Sequence, residues 1–227
     1  TGVQTCALRS GEVHAQRALY HRARGEDPGP SVRAADEALR QALQALPDNA
    51  GALANRGMVQ ALLATFEGDH GRDPRPGAAR AEALLRRALA ANPAHAEAWY
   101  FLGEALGAQD PGADAPVQAF EKALVLAPER PEFHLGFGHF RRRQATRLLR
   151  EGKDPGPALR RGLEQAQGLL ALRPDWPDAR LLRGALRALQ GAPERDQARE
   201  DLARALATNP GFQREWGGLL QRLRSPP

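Results

Sequence analysis

The 227 residues predict an all-α fold, a solenoid of about five helical hairpins ending in a C-terminal capping helix. Three observations lead there. Gly11, Gly57 and Gly138 are each followed 16 residues later by an Asp-Pro-x-Pro step, at Asp27, Asp73 and Asp154, and 20 residues after that by Pro47, Pro93 and Pro174. Apolar residues recur on one helical face: Trp99, Leu102, Gly103 and Leu106 stand at i, i+3, i+4 and i+7 after Asn92-Pro93. A second face, Phe120, Ala123, Leu124 and Ala127, ends at Pro128, and the same order of apolar face and proline recurs before Pro47, Pro93, Pro174 and Pro210. A 46-residue interval that returns in register describes like units stacked side by side, each shielding its neighbour.

Anchored on the closing prolines, the units run over about 4–49, 50–95, 96–130, 131–176 and 177–212, followed by a last helix over about 213–224. In the first, second and fourth, Gly25, Gly71 and Gly152 are read as helix C-terminal breakers. Asp27, Asp73 and Asp154 are read as N-caps, and Pro28, Pro74 and Pro155 as first-turn prolines. The last helix carries Trp216, Leu219, Leu220 and Leu223 on one side and Arg214, Arg222 and Arg224 elsewhere, the pattern of a cap; Ser225-Pro226-Pro227 then ends it.

The pattern resembles the tetratricopeptide repeat (TPR), a helix-turn-helix unit of about 34 residues carrying W-x2-L-G-x2-Y, then A-x3-F, then a closing proline. The resemblance covers nearly the whole chain and implies a right-handed superhelical solenoid. The small residue of the hairpin contact falls on Gly11, Gly57, Gly103, Gly138 and Gly184, where a side chain would hold the helices apart. Ala35, Ala42, Ala81, Ala88, Ala123, Ala198 and Ala205 fit the same close approach on the second helices. Arg56 and Arg183 depart from the pattern, standing where Leu102 and Phe137 hold the leucine position, so local rotation or exposure of those helices is expected. Units one, two and four exceed the family length by about 12 residues, expected to be helix shared between both arms of the hairpin.

In this family the first helices line a concave groove. Their fifth position is Leu8, Ala54, Tyr100, Leu135 and Leu181 here. The ninth is Glu12, Met58, Glu104, His139 and Ala185, and the twelfth Ala15, Ala61, Gly107, Arg142 and Ala188. The resemblance implies partner binding at Leu8, Met58, Tyr100, Glu104, Leu135, His139 and Leu181, with contact to neighbouring repeats as the alternative. The Lys and Asn clamp by which chaperone-binding members grip a C-terminal carboxylate is missing, since Leu8, Glu12, Ala54 and Met58 hold those places. The long form with Gly-x-Asp-Pro-x-Pro also resembles repeats C-terminal to the catalytic domain of some bacterial serine/threonine protein kinases, which implies a sensing or docking module in signalling. A start without Met fits a piece of a longer protein.

The net charge of +5 comes from 32 basic and 27 acidic residues, and all the basic ones except Lys122 and Lys153 are arginine. Coding bias is a sufficient account of such enrichment, and nucleic acid is not the expected partner. The densest cluster is Arg141, Arg142 and Arg143 with Arg147 and Arg150, and Arg142, Arg143, Arg147 and Arg150 are read as a basic stripe on one long helix. It is either a solvated face or a site for an acidic segment or phosphate. The single cysteine, Cys6, excludes an intrachain disulfide. No run approaches the roughly 18 apolar residues of a membrane span and no secretory signal opens the chain; a cytoplasmic protein is expected, or a periplasmic one if it belongs to an envelope assembly.

Catalytic and metal signals are missing from the sequence. It has three serines (Ser10, Ser31, Ser225), six scattered histidines, and no His-x3-His, Cys-x2-Cys or Gly-x-Ser-x-Gly step. Gly136-Phe-Gly-His-Phe-Arg141 lacks the third glycine of a phosphate loop and follows no strand, and Asp69-His-Gly-Arg-Asp73 continues as a hairpin turn. His134 and His139, five apart, diverge on a helix. The reading is therefore a non-catalytic, cofactor-free scaffold with a protein or peptide partner. The alternatives are an arginine-mediated binder of acidic segments or nucleic acid, and a cell-envelope assembly scaffold.

Overall fold

A computed structural model describes residues 2–224, with the side chains of all of these except 2–4, 214 and 215. The predicted stop at Ser225-Pro226-Pro227 and the side chain of Arg214 lie outside the described residues. Residues 1–129 and 130–227 form two compact units. The first contains α1 (Gly2–Ala23), α2 (Gly29–Ala45), α3 (Ala50–Asp69), α4 (Arg75–Ala91), α5 (Ala96–Gln109) and α6 (Ala115–Leu126). The second contains α7 (Pro131–Arg150), α8 (Gly156–Leu172), α9 (Pro177–Gln190), α10 (Arg195–Thr208) and α11 (Gln213–Arg224), with short 3-10 turns at Ala192–Glu194 and Pro210–Phe212. Among the described residues there is no strand, and α3, α5, α7 and α9 begin where the repeat register places first helices.

The long hairpins turn identically because the same three residue types act at each turn. Gly25, Gly71 and Gly152 have φ of +69°, +75° and +67°, a left-handed conformation that only glycine adopts without strain. Each sits in a paired C-terminal motif: Gly25 N donates to Arg22 O at 2.9 Å and Glu26 N to His21 O at 2.9 Å, and the same two bonds recur around Gly71 and Gly152. Two residues later the aspartate caps the next helix. Asp27 Oδ1 accepts from Gly29 N at 2.8 Å, Asp73 Oδ1 from Arg75 N at 3.1 Å and Asp154 Oδ1 from Gly156 N at 2.8 Å. Between cap and helix, Pro28, Pro74 and Pro155 already hold helical dihedrals. The added length is helix on both arms: α3 and α4 have 20 and 17 residues where α5 and α6 have 14 and 12.

The helices of a hairpin close on each other at the repeat glycine. A Cβ on Gly11 would lie 2.6 Å from Leu39 Cγ, on Gly57 2.5 Å from Leu85 Cγ, and on Gly103 2.9 Å from the Phe120 ring. On Gly184 it would lie 3.0 Å from Leu202 Cγ. Leu39, Leu85, Phe120 and Leu202 are fully buried, and so are nearly all atoms of the seven second-helix alanines. Gly138 differs. Its nearest neighbour is Leu182 on α9, so in the fourth repeat the glycine admits the next first helix, and the nearest atom of its own second helix, Gln165 Cβ, lies further off at 3.6 Å.

Within each unit the first helices pack successively on one another, α1 on α3 and α3 on α5, then α7 on α9, while the second helices have no comparable mutual packing. Within the units α2, α4 and α8 instead contact their own partners and the next first helix. First helices that pack on one another while second helices do not give each unit a wall lined by first helices.

The arginines at the leucine position are not exposed, contrary to expectation. Arg56 forms a fork with Asp36 on α2, Nε to Oδ1 at 2.8 Å and Nη2 to Oδ2 at 3.2 Å, and Gln60 adds a bond to the same carboxylate. Arg183 forks onto Asp201 at 2.8 and 2.6 Å, and Arg187 donates to Asp201 at 2.8 Å. Asp201 is 3 % exposed, so the two guanidinium groups supply its solvation, and the Arg183 pKa is raised by its bond to that carboxylate. The stems of the two arginines lie on the hairpin surface where a leucine would, and the flanking Leu53, Gly57, Leu182 and Gly184 remain buried, so the helices keep the regular rotation.

Replacing Gly57 by Ala is expected to destabilise the fold by about 1–3 kcal/mol, because Leu85 has no room to retreat. Gly168→Ala, on an exposed stretch of α8 where a Cβ meets nothing within 4 Å, is expected to stabilise it by about 0.5–1 kcal/mol. Urea unfolding of the two variants beside the parent chain checks both signs.

Candidate functional site

The first-helix walls are the natural place to look for a site, because they gather side chains from successive repeats. In the first unit, two of the four expected partner-binding residues, Met58 and Glu104, are inside the stack. Met58 is 7 % exposed and belongs to the apolar cluster of Ala15, Leu39, Val59 and Leu62, with Leu8 half-buried against it. Glu104 is 7 % exposed. Tyr100 is half-buried, its ring edge-on to Phe101 at 4.9 Å and to Phe120 at 5.6 Å between centroids. In the second unit Leu181 is 3 % exposed, within a cluster of Ala185, Leu202, Trp216 and Leu220. Leu135 is half-buried between the cluster of Leu169, Leu170 and Ala179 and that of Ala145, Leu159 and Leu182.

At the fifth position Leu8, Tyr100 and Leu135 are half-buried, and Ala54 and Leu181 are buried. Met58, Glu104 and Leu181 are covered, Ala54 with them, because the first helices approach closely enough for these side chains to fill the seams between repeats. Of the expected groove residues in the first unit, the half-buried Leu8 and Tyr100 keep accessible surface.

The four stripe arginines are not equivalent. Arg142 turns away from solvent, with its guanidinium carbon 4.9 Å from the centroid of the Trp216 ring on α11. His139, one turn earlier, has its ring 6.5 Å from the same tryptophan. Arg147 Nε donates to Glu151 at 2.6 Å, and Glu151 also accepts from Lys153 Nζ at 2.7 Å. Arg143 is half-buried, and Arg150 is exposed. A continuous basic face several turns long is thus broken by one inward-facing arginine and one locally neutralised one.

Two polar features were not visible in the repeat pattern. Arg22 on α1 donates to Leu62 O at 3.0 Å and to Thr65 Oγ1, and lies 3.4 Å from Asp69, which ties α1 to α3 along the wall. Trp99 Nε1 donates to Pro93 O at 2.8 Å, and at the equivalent position of the fifth repeat Arg180 donates to Pro174 O at 2.6 Å. Both hold the closing loop with a long donor, so the shared signal is reach and an N–H group, not residue type. Among the described residues no group of three or more His, Cys, Asp or Glu side chains is arranged to hold a metal ion, and no helix is long and apolar enough to cross a membrane.

The Lys153 and Arg147 bonds hold the Glu151 carboxyl down at about 2. A carboxylate whose folded pKa lies below its unfolded value of roughly 4.3 adds stability above that pH and loses it on acidification. The stability difference between the parent chain and Glu151→Gln is expected to be constant above roughly pH 5 and to shrink steadily from there toward pH 2. Urea midpoints across that range measure it.

No family model and no curated protein sequence matches the chain. Solved structures do resemble it. TTC0263, a thermophilic TPR protein of Thermus thermophilus, is 20% identical with a TM-score of 0.62, covering 96% of this chain and 99% of that one. MamA is 19% identical with a TM-score of 0.55, covering 94% and 96%. YrrB, described as a TPR protein with an unusual peptide-binding site, is 18% identical with a TM-score of 0.54, covering 91% and 90%. At these identities the likeness concerns the fold, and together with the helical hairpins above it shows that this chain is an all-α, TPR-like solenoid.

Proposed function

We propose that the chain is a non-catalytic protein-interaction scaffold whose first-helix walls receive a peptide or an amphipathic helix. One observation carries this reading: first helices pack on one another within each unit while second helices do not, so a surface is built from several repeats at once. Such a surface suits an elongated partner that touches several repeats, and its half-buried Leu8 and Tyr100 offer apolar anchorage. The peptide-binding description of YrrB supports the same class of partner. Polyanion binding has less support, because Arg142 and Arg147 already have partners within the chain. The Gly-x-Asp-Pro-x-Pro hairpins, with their identical turns, favour the narrower reading of a regulatory or docking module in a larger bacterial signalling protein such as a serine/threonine kinase.

A displayed library of helical and extended peptides, panned on the full chain, supplies the test ligand. Leu8→Glu and Tyr100→Glu are each expected to weaken the selected peptide by roughly tenfold or more. Joint replacement of Arg143, Arg147 and Arg150 by Ala is expected to leave it within about threefold, with little change between roughly 50 and 200 mM salt. Binding that ignores both first-helix changes, or that vanishes with the arginines and falls steeply with salt, overturns the proposal.

A further inference from the structure

The C-terminal helix α11 occupies a place that an end cap does not require. Trp216, Leu220 and Leu223, at i, i+4 and i+7, are buried in one cluster with Leu181 and Ala185 of α9 and Leu202, Ala205 and Leu206 of α10. A helix that only closed the stack would touch the last hairpin alone. The Trp216 ring instead reaches beyond α9 to α7, beneath Arg142 and beside His139. On α9 the residues in between are small: Ala185 lies within the cluster and Ala188 at its margin, which leaves space for an indole. His139, Arg142, Ala185 and Ala188 are the ninth- and twelfth-position residues of the two first helices in this unit. The chain's own last helix packs on α10 and through Trp216 covers part of the wall expected to bind a partner.

A second observation concerns how firmly it is covered. α11 has only 12 residues, a length at which a helix depends on its packing, and two adjacent glycines, Gly217 and Gly218, stand in its middle. The hairpin glycines exist because another helix occupies the space of a Cβ. Here the nearest contacts differ: the atoms closest to a Cβ on the buried Gly217 belong to the Gln213 side chain of the same helix, and one on the exposed Gly218 would meet only Arg222 at 3.7 Å. At neither glycine is a facing helix the nearest neighbour, and both weaken the helix against unwinding.

We propose that α11 is a displaceable occupant of the second unit's wall, and that the wall's partner is an amphipathic helix with an aromatic anchor followed by leucines four and seven residues later. The aromatic ring enters over Ala185 and Ala188 beneath the Arg142 guanidinium, and the leucines follow along α9 and α10. A partner of this kind must compete with α11, so the free chain is self-masked and its apparent affinity is reduced by the fraction of time the wall is closed. This inference rests on the first-helix-wall reading above and names the partner class for one of the two walls.

Hydrogen exchange on the full chain is the first test. α11 amides are expected to exchange roughly tenfold or more faster than those of α9 and α10, through local opening. The G217A/G218A variant is expected to slow α11 roughly tenfold while leaving α9 and α10 unchanged. The second test is fluorescence anisotropy with a labelled peptide of residues 209–224. It should bind Trp216→Ala roughly tenfold tighter than the parent chain, and G217A/G218A more weakly than the parent. Equal protection of α9, α10 and α11 in the parent chain, or equal peptide binding by all three proteins, overturns the inference. The exchange arm decides alone if Trp216→Ala fails to fold. Retained peptide binding at Leu8 and Tyr100 in the first unit then shows that the scaffold reading survives.

Discussion

A facing side chain packed so closely on a helix backbone that only a hydrogen fits beneath it is the constraint on which this molecule depends. At Gly11, Gly57, Gly103 and Gly184 a buried leucine or phenylalanine from the facing helix occupies the space of a missing Cβ. Full burial of such a side chain contributes about 1.5–3 kcal/mol, whereas an exposed ion pair contributes about 0–1 kcal/mol, so the crossing outweighs the many surface pairs around it. The alanines of the second helices extend the close approach along the hairpin. The turn chemistry serves the same contact. A left-handed glycine, a capping aspartate and a proline in helical conformation set the direction of the return helix, so the leucine arrives opposite its glycine.

Charged residues act mainly between elements. Arg56 with Asp36 joins consecutive repeats, Arg22 joins consecutive first helices, and Arg183 and Arg187 share one buried carboxylate inside a hairpin. Removing water from such groups costs much of what their attraction returns, so their contribution is better described as fixing which surfaces meet. A guanidinium suits that task because its planar fork accepts only certain approaches. Much of the arginine content is therefore spent within the fold, and the positive net charge is a poor guide to the partner.

The same geometry shapes function. Close packing of first helices draws Met58, Glu104 and Leu181 into the seams, leaving walls that are narrower and more mixed in character than a groove of leucines. On the second unit, α11 covers part of that wall through a tryptophan that spans from α9 to α7. The proposals for partner binding and for self-masking share a physical basis: a surface assembled from several repeats is continuous and apolar enough to hold a helix, whether from this chain or another.

What the sequence determined by itself was everything that recurs locally. Helix starts at Ala50, Ala96, Pro131 and Pro177, the left-handed Gly25, Gly71 and Gly152, the capping aspartates and the buried alanines follow from spacing and backbone chemistry, which act within a few residues. What only the tertiary structure decided was the outcome at positions whose neighbours come from elsewhere in the chain. Gly138 meets Leu182 of the next repeat, Arg56 and Arg183 are paired by Asp36 and Asp201 instead of exposed, and Arg142 lies under Trp216 instead of joining a basic stripe. Periodicity shows which face of a helix is turned inward; how deeply a side chain on that face is buried, and against what, is set by the approach of a second helix distant in sequence.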